Sequence, residues 1–198
     1  MRAIVSLLVA VAVLGPTAAF AHPGHGPDIG LVTGLLHPLT GLDHILCMLA
    51  VGVLAAVLGG RALWLVPLSF ISMMLVGFAL GAAGVTLPFT ELGMGLSSVV
   101  IGALAARGRS MPVAAAMALV GGFAIFHGFA HGAEMPMGTG GVAFALGFIA
   151  ATALLHAAGI AAALGSARLA GRYARPVARL AGVGFALGGV GVLAGWLG

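Results

Sequence analysis

The chain predicts an all-α, polytopic membrane helix bundle, and three observations carry that prediction. Hydrophobic residues fill 62% of 198 positions and charged residues only 6%, whereas a soluble domain carries about a quarter charged residues. The apolar residues run in long blocks instead of alternating with polar ones, the pattern of segments that sit in lipid. The basic residues fall in every second connection between these blocks, which is the bias that orients membrane spans. The formal charge of +4 comes from Arg alone, since the chain has no Lys. It is therefore read as a topology signal, and nucleic acid is not expected as a partner.

The first element, MRAIVSLLVAVAVLGPTAAFA over residues 1–21, has the form of a secretory signal peptide. Arg2 supplies a minimal positive end, Ile4 to Leu14 an apolar stretch, Gly15-Pro16 a helix break and Ala19-Phe20-Ala21 a cleavage signal. Cleavage leaves His22 as the mature N-terminus, outside the cytoplasm. A hydrocarbon core takes about 20 apolar residues to cross. Six further spans are expected at 30–58, 62–83, 86–106, 111–132, 140–165 and 177–197. They form one domain, 22–198, because no long polar loop divides them. With His22 outside, the inner loops hold Arg61, then Arg107 and Arg109, then Arg168, Arg172, Arg175 and Arg179. The outer loops near 84–88 and 133–139 hold no basic residue. Both mature termini are expected in the periplasm, with the protein in the inner membrane. The 34 glycines include small-xxx-small pairs, Gly77/Gly81, Gly128/Gly132 and Gly184/Gly188, suited to tight helix contacts in lipid.

Ionisable residues inside a membrane need a reason to be there. Apart from Arg, they fall in four places. At the external entrance, His22-Pro-Gly-His25-Gly-Pro-Asp28 offers imidazoles and a free amine that can chelate a metal, or is simply a polar leader. In the first span lies His37-Pro38-Leu39-Thr40-Gly41-Leu42-Asp43-His44. On a regular helix His37 and His44 are about 10 Å apart along the axis. Either the helix unwinds at Pro38–Gly41, where a backbone donor is missing and glycine loosens the chain, or the two histidines mark successive sites. At the outer end of the fourth span, His127 and His131 stand at i, i+4, the spacing by which one helix face offers two imidazoles to one metal. Glu134 follows one turn later. Finally there are single residues. His156 lies in the middle of the fifth span, where a lone His is more often a packing residue. Glu91 stands at the outer start of the third span. Cys47, the single cysteine, excludes an intramolecular disulfide or a multi-thiolate site. Met135-Pro136-Met137 offers two thioethers, too few for Cu(I) against so many imidazoles and carboxylates.

Depth sorts these groups into two tiers. His37, His127, His131 and Glu134 form an outer one, and Asp43, His44 and His156 an inner one, about 20 Å below the outer surface. A stepwise cation path from outside to inside follows. Imidazole and carboxylate donors imply a borderline divalent metal as substrate and no fixed cofactor.

The sequence resembles the HupE/UreJ family of nickel/cobalt permeases. The resemblance rests on the signal peptide, an H-P-G-H mature start, HPLTGLDH in the first span and FHGFAHGAE in the fourth, and so covers nearly the whole chain. It implies transport of Ni2+ or Co2+ in support of hydrogenase or urease maturation. It also implies metal roles for His37, Asp43, His44, His127, His131 and Glu134. His22, His25, His156 and Glu91 are additions from the residues alone. Two other classes compete with this reading. A haem or redox membrane protein would use His127 and His156 as axial ligands at equal depth. A metal-binding accessory factor that does not transport would carry ligands only at the outer surface. An enzyme is not expected, because the sequence offers no nucleophile–base pair. No ATP-binding motif appears, so transport would be secondary. Oligomeric state is left open.

Overall fold

The computed structural model describes residues 27–108, 110–135 and 140–195. The leader 1–21, His22, His25 and Arg109 lie outside the described residues. Among the described residues seven α-helices follow one another: α1 Pro27–Leu36, α2 Leu42–Leu58, α3 Ala62–Ala82, α4 Thr90–Arg107, α5 Val113–Ala133, α6 Gly141–Ala170 and α7 Ala174–Leu193. Short 3-10 turns at His37–Leu39 and Gly171–Tyr173 join α1 to α2 and α6 to α7. No strand occurs among the described residues.

The expected first span is broken. Gly30–Leu39 and Leu42–Leu58 meet at 81°. Pro38 has no N–H to continue the helix, and Gly41 takes an extended conformation, φ −99° and ψ 121°. The carbonyl of His37 is not left bare at the break. It accepts from the Thr40 backbone N–H at 3.1 Å and from Thr40 Oγ1 at 2.7 Å. A new helix then starts at Leu42.

Three described stretches are long and apolar enough to cross a membrane: Ala62–Ala82, Val113–Ala133 and Gly141–Leu193. There are four if the bent pair counts as one span. The 53 residues of Gly141–Leu193 would extend about 80 Å as one straight helix. They do not, because Gly171 turns the chain with φ 49°. In α7, Gly182 packs on Gly102 and Ala106 of α4, and Gly189 on Ser98 and Val99, so these two helices run antiparallel. The 18 residues of α4 fall short of the apolar stretches, with Glu91 in its first turn and Arg107 in its last.

One end of the bundle gathers the C-terminal ends of α2, α4 and α6 and the N-terminal ends of α5 and α7. Together they line a cavity of about 480 Å3 that includes Arg175 and Arg179. Asp43, Glu91 and Glu134 sit at the opposite ends of their helices, at the starts of α2 and α4 and the end of α5. The described carboxylates and arginines are thus separated along the bundle axis.

Glycine sets the closest helix pair. Gly77 and Gly81 of α3 lie against the carbonyls of Ile125 and Phe129. Gly128 and Gly132 of α5 lie against those of Met74 and Phe78. A side chain at any of the four would collide with backbone, so α3 and α5 interlock as small-xxx-small pairing predicts. The third expected pair differs. Gly184 faces open space and Gly188 meets only the Leu46 side chain, whereas the tight contacts of α7 come from Gly182 and Gly189. Gly182 and Gly189 are seven residues apart, which keeps them on one face of the helix, so the pairing was misread by register.

Gly77→Val should lower the thermal midpoint of the detergent-purified protein sharply. Overpacking typically costs about 1–3 kcal/mol even against yielding side chains, and here the obstacle is backbone. Gly122→Ala, which points into open space, should leave the midpoint unchanged or raised. Equal midpoints for Gly77→Val and the unaltered protein would contradict this packing.

Candidate metal centre

The α1–α2 break determines where the histidines meet. It carries His37 and His44 to two sides of one ring, His131 of α5. The His37 and His44 ring centroids each lie 4.7 Å from that of His131, edge to face. The sequence left open whether the helix unwinds or two sites follow one another. The structure shows the unwinding, and His131 joins what would otherwise be two separate groups.

On the outer side, His37 Nε2 lies 3.6 Å and His131 Nδ1 3.9 Å from Glu134 Oε2. One donor atom from each of these three residues falls within 4.8 Å of the others. On the inner side, His44 Nδ1 lies 3.1 Å from His131 Nε2 and 3.2 Å from His127 Nδ1. Two imidazole nitrogens bound to one ion at about 2.0–2.1 Å stand roughly 2.9–3.4 Å apart, depending on geometry. Each of these two inner pairs falls in that range, while the three residues whose donor atoms gather together are His37, His131 and Glu134. His127 Nε2 is 2.8 Å from Ser97 Oγ. Further along, Phe70 packs against both His127 and His156, with centroids 5.8 and 5.1 Å away.

Apolar walls enclose the line. Phe148 packs on His131 at 4.5 Å and His44 at 5.4 Å, and Phe144 on His37 at 5.4 Å. His44, His127 and His156 are almost wholly buried. His37 Nε2, His44 Nε2, His131 Nδ1 and both nitrogens of His156 are buried without a hydrogen-bond partner. Polar atoms left unpaired among apolar helices are expensive. Five in one file call for an explanation that apolar packing does not supply.

The expected tiers are redrawn. His127 does not join Glu134; it lies beside His44, one helical turn below His131. The bend keeps His44 higher than a straight span would, level with that turn. Asp43, expected beside His44, stands apart from the imidazoles. Adjacent helical residues point about 100° apart, so when His44 faces α5 its neighbour cannot. Asp43 is half-buried in the first turn of α2, its backbone carbonyl accepts from Ser98 Oγ at 3.1 Å, and its carboxylate has no hydrogen bond among the described residues. Glu91 is exposed in the first turn of α4 and makes no described contact with the histidines.

Sequence reasoning missed Ser97, Phe70 and Phe148. A Ser97-Ser98 pair within an apolar helix is a polar signal that could have been read. The two phenylalanines look like any core aromatic. The sequence offered no nucleophile–base pair, yet Ser97 and His127 do touch. Ser97 Oγ donates to the Met94 carbonyl and the residue is fully buried, so it is not a nucleophile presented to a substrate.

A bundle of apolar helices around a file of buried imidazoles defines a multi-pass membrane protein with a histidine-lined interior. The chain belongs to the HupE/UreJ family: the family described as HupE / UreJ protein matches residues 9–192. It is 43% identical over 180 residues to Protein HupE of Rhizobium leguminosarum bv. viciae, covering 91% of this chain and 92% of that protein. No solved structure matches it.

Phe148→Ala should destabilise the purified protein by about 3–5 kcal/mol, as emptying an aromatic site in a packed core does. Phe148→Leu should cost less. Thermal unfolding in detergent measures both, and an unshifted Phe148→Ala midpoint would remove Phe148 from the wall.

Proposed function

We propose that the protein is a secondary permease that carries Ni2+, or Co2+, from the periplasm to the cytoplasm and supplies hydrogenase or urease maturation. The observation that carries this reading is the file of donors from Glu134 and His37 through His131, His44 and His127 to His156. Its exposed end bears a carboxylate and its buried end bears none, as capture followed by passage requires. Nickel and cobalt enter through the family resemblance; geometry supports only a borderline divalent ion. In this reading the leader is removed and six spans follow, α1 and α2 forming one of them. Both mature termini are periplasmic. The arginine end faces the cytoplasm, in keeping with the separation of charges along the bundle. Asp43 and Glu91, near the entrance, add negative potential without joining the imidazoles, and His22 and His25 extend the entrance outward. An inside-negative potential favours entry of a divalent cation by about 4.6 kcal/mol per 100 mV, which drives uptake without ATP.

The haem alternative requires an open slot between His127 and His156, but Phe70 packs against both rings, with centroids 5.8 and 5.1 Å away, which favours the permease.

Proteoliposomes loaded with the purified protein test the proposal, with nickel, cobalt and zinc in competition. His131→Ala should abolish nickel uptake, since its ring serves both halves of the file. His37→Ala should mainly raise the half-saturating concentration. Uptake should also fall as the outer solution is acidified, because a protonated imidazole has no lone pair for the metal. Full uptake by His131→Ala would overturn the path. In cells, a reporter fused after Gly198 should be active on the periplasmic side; cytoplasmic activity would overturn the orientation.

A further inference from the structure

We infer that Ser97 is a positioning residue that fixes the tautomer of His127 and so aims a lone pair at the inner metal position. The inference rests on the metal reading above and extends it to a residue outside the histidine motifs.

The argument is a count of protons. A serine hydroxyl has one O–H to give and two lone pairs to receive. Ser97 Oγ gives its proton to the carbonyl of Met94, one turn back on α4. It can then only accept from His127, whose Nε2 lies 2.8 Å away. His127 therefore carries its proton on Nε2, and Nδ1 holds the lone pair. That nitrogen faces His44 Nδ1 at 3.2 Å.

The consequence runs on through the cluster. A nitrogen pair at this distance holds one proton between them, so it sits on His44 Nδ1. His131 Nε2, 3.1 Å from the same atom, must then present a lone pair too, because two N–H groups would face each other. His131 Nδ1 consequently bears the proton on the side of Glu134. Two lone pairs, from α5, converge on one N–H of α2. An ion at this position requires His44 in its Nε2–H form, and the His127 and His44 lone pairs then face each other across 3.2 Å. Outer-shell partners that hold a ligating imidazole in this way typically contribute 10–100-fold in metal affinity.

Nitrogen-15 NMR of the metal-free, detergent-purified protein with labelled histidine reads the tautomer directly, with the His127 signal assigned from a His127→Ala sample. The unaltered protein should show His127 protonated on Nε2. Ser97→Ala should give a mixture of tautomers, and Ser97→Thr, which keeps the hydroxyl, should restore the Nε2–H form. Co2+ titrated into the same samples, followed by its visible absorption, should bind about 10–100-fold more weakly to Ser97→Ala than to the unaltered protein. Ser97→Thr should recover most of that loss. A His127 protonated on Nδ1 in the unaltered protein overturns the inference, whatever the metal does. Unchanged Co2+ affinity in Ser97→Ala, with affinity lost in His127→Ala, overturns it as well. Should the unaltered protein take up no Co2+ while the tautomers come out as stated, the metal reading fails and the positioning of His127 stands.

Discussion

The 81° break between α1 and α2 is the constraint on which the interior depends. On a continuous helix His37 and His44 would stand about 10 Å apart along the axis, and no single ring could touch both. Pro38 withholds a donor and Gly41 extends the chain, so the two histidines close on His131 from two sides. Thr40 makes the break tolerable in an apolar setting. It gives the freed His37 carbonyl two donors, where an unpaired carbonyl within a membrane would cost several kcal/mol. Each residue of His37-Pro-Leu-Thr-Gly-Leu-Asp-His44 with a polar atom or an unusual backbone thus serves either the break or what the break delivers, Asp43 excepted.

The opposite wall is built on a second regularity. In α5 each histidine of the pair precedes a glycine: His127-Gly128 and His131-Gly132. Neighbouring residues on a helix diverge by about 100°. The glycines seat against the Met74 and Phe78 carbonyls of α3, and this contact helps to fix the rotation of α5. The imidazoles are then forced toward α2. The i, i+4 repeat therefore encodes two faces at once, a packing face and a donor face. It also ties the positions of both histidines to the α3–α5 contact. A side chain in place of either glycine would push α5 off α3 and swing both rings.

Much of this was legible in the sequence, unevenly. Helical class and the segregation of arginine follow from composition and order alone, and the described residues form an all-helical bundle with three to four membrane-length apolar helices where six spans were expected. The two histidine motifs were also plain, because polar residues inside apolar blocks stand out. What sequence could not supply was rotation and depth. The expectation that Asp43 and His44 act together treated adjacency in the chain as adjacency in space, which a helix denies. His127 was placed with Glu134 because both lie on α5, although the bend in another element raises His44 to meet it. Ser97 escaped because a serine in an apolar helix commonly bonds to its own preceding turn. It does so here as well, and only the arrival of His127 from another helix turns that bond into a proton constraint.

The far end of the file makes a last physical point. His156 lies seven residues before Ala163, about 10 Å along α6, and Ala163 already lines the cavity at the arginine end. Between them Gly52 of α2 rests on the His156 carbonyl and on Gly159, so the two helices touch backbone to backbone just past the last imidazole. Past His156 the two helices are therefore in contact, with Arg175 and Arg179 beyond. The entrance carries the opposite charge, with Glu134 exposed beside His37. The donors are thus exposed at the carboxylate end and buried at His156. Between His156 and the arginine end, Gly52 and Gly159 meet only backbone atoms, so no side chain holds α2 and α6 apart there.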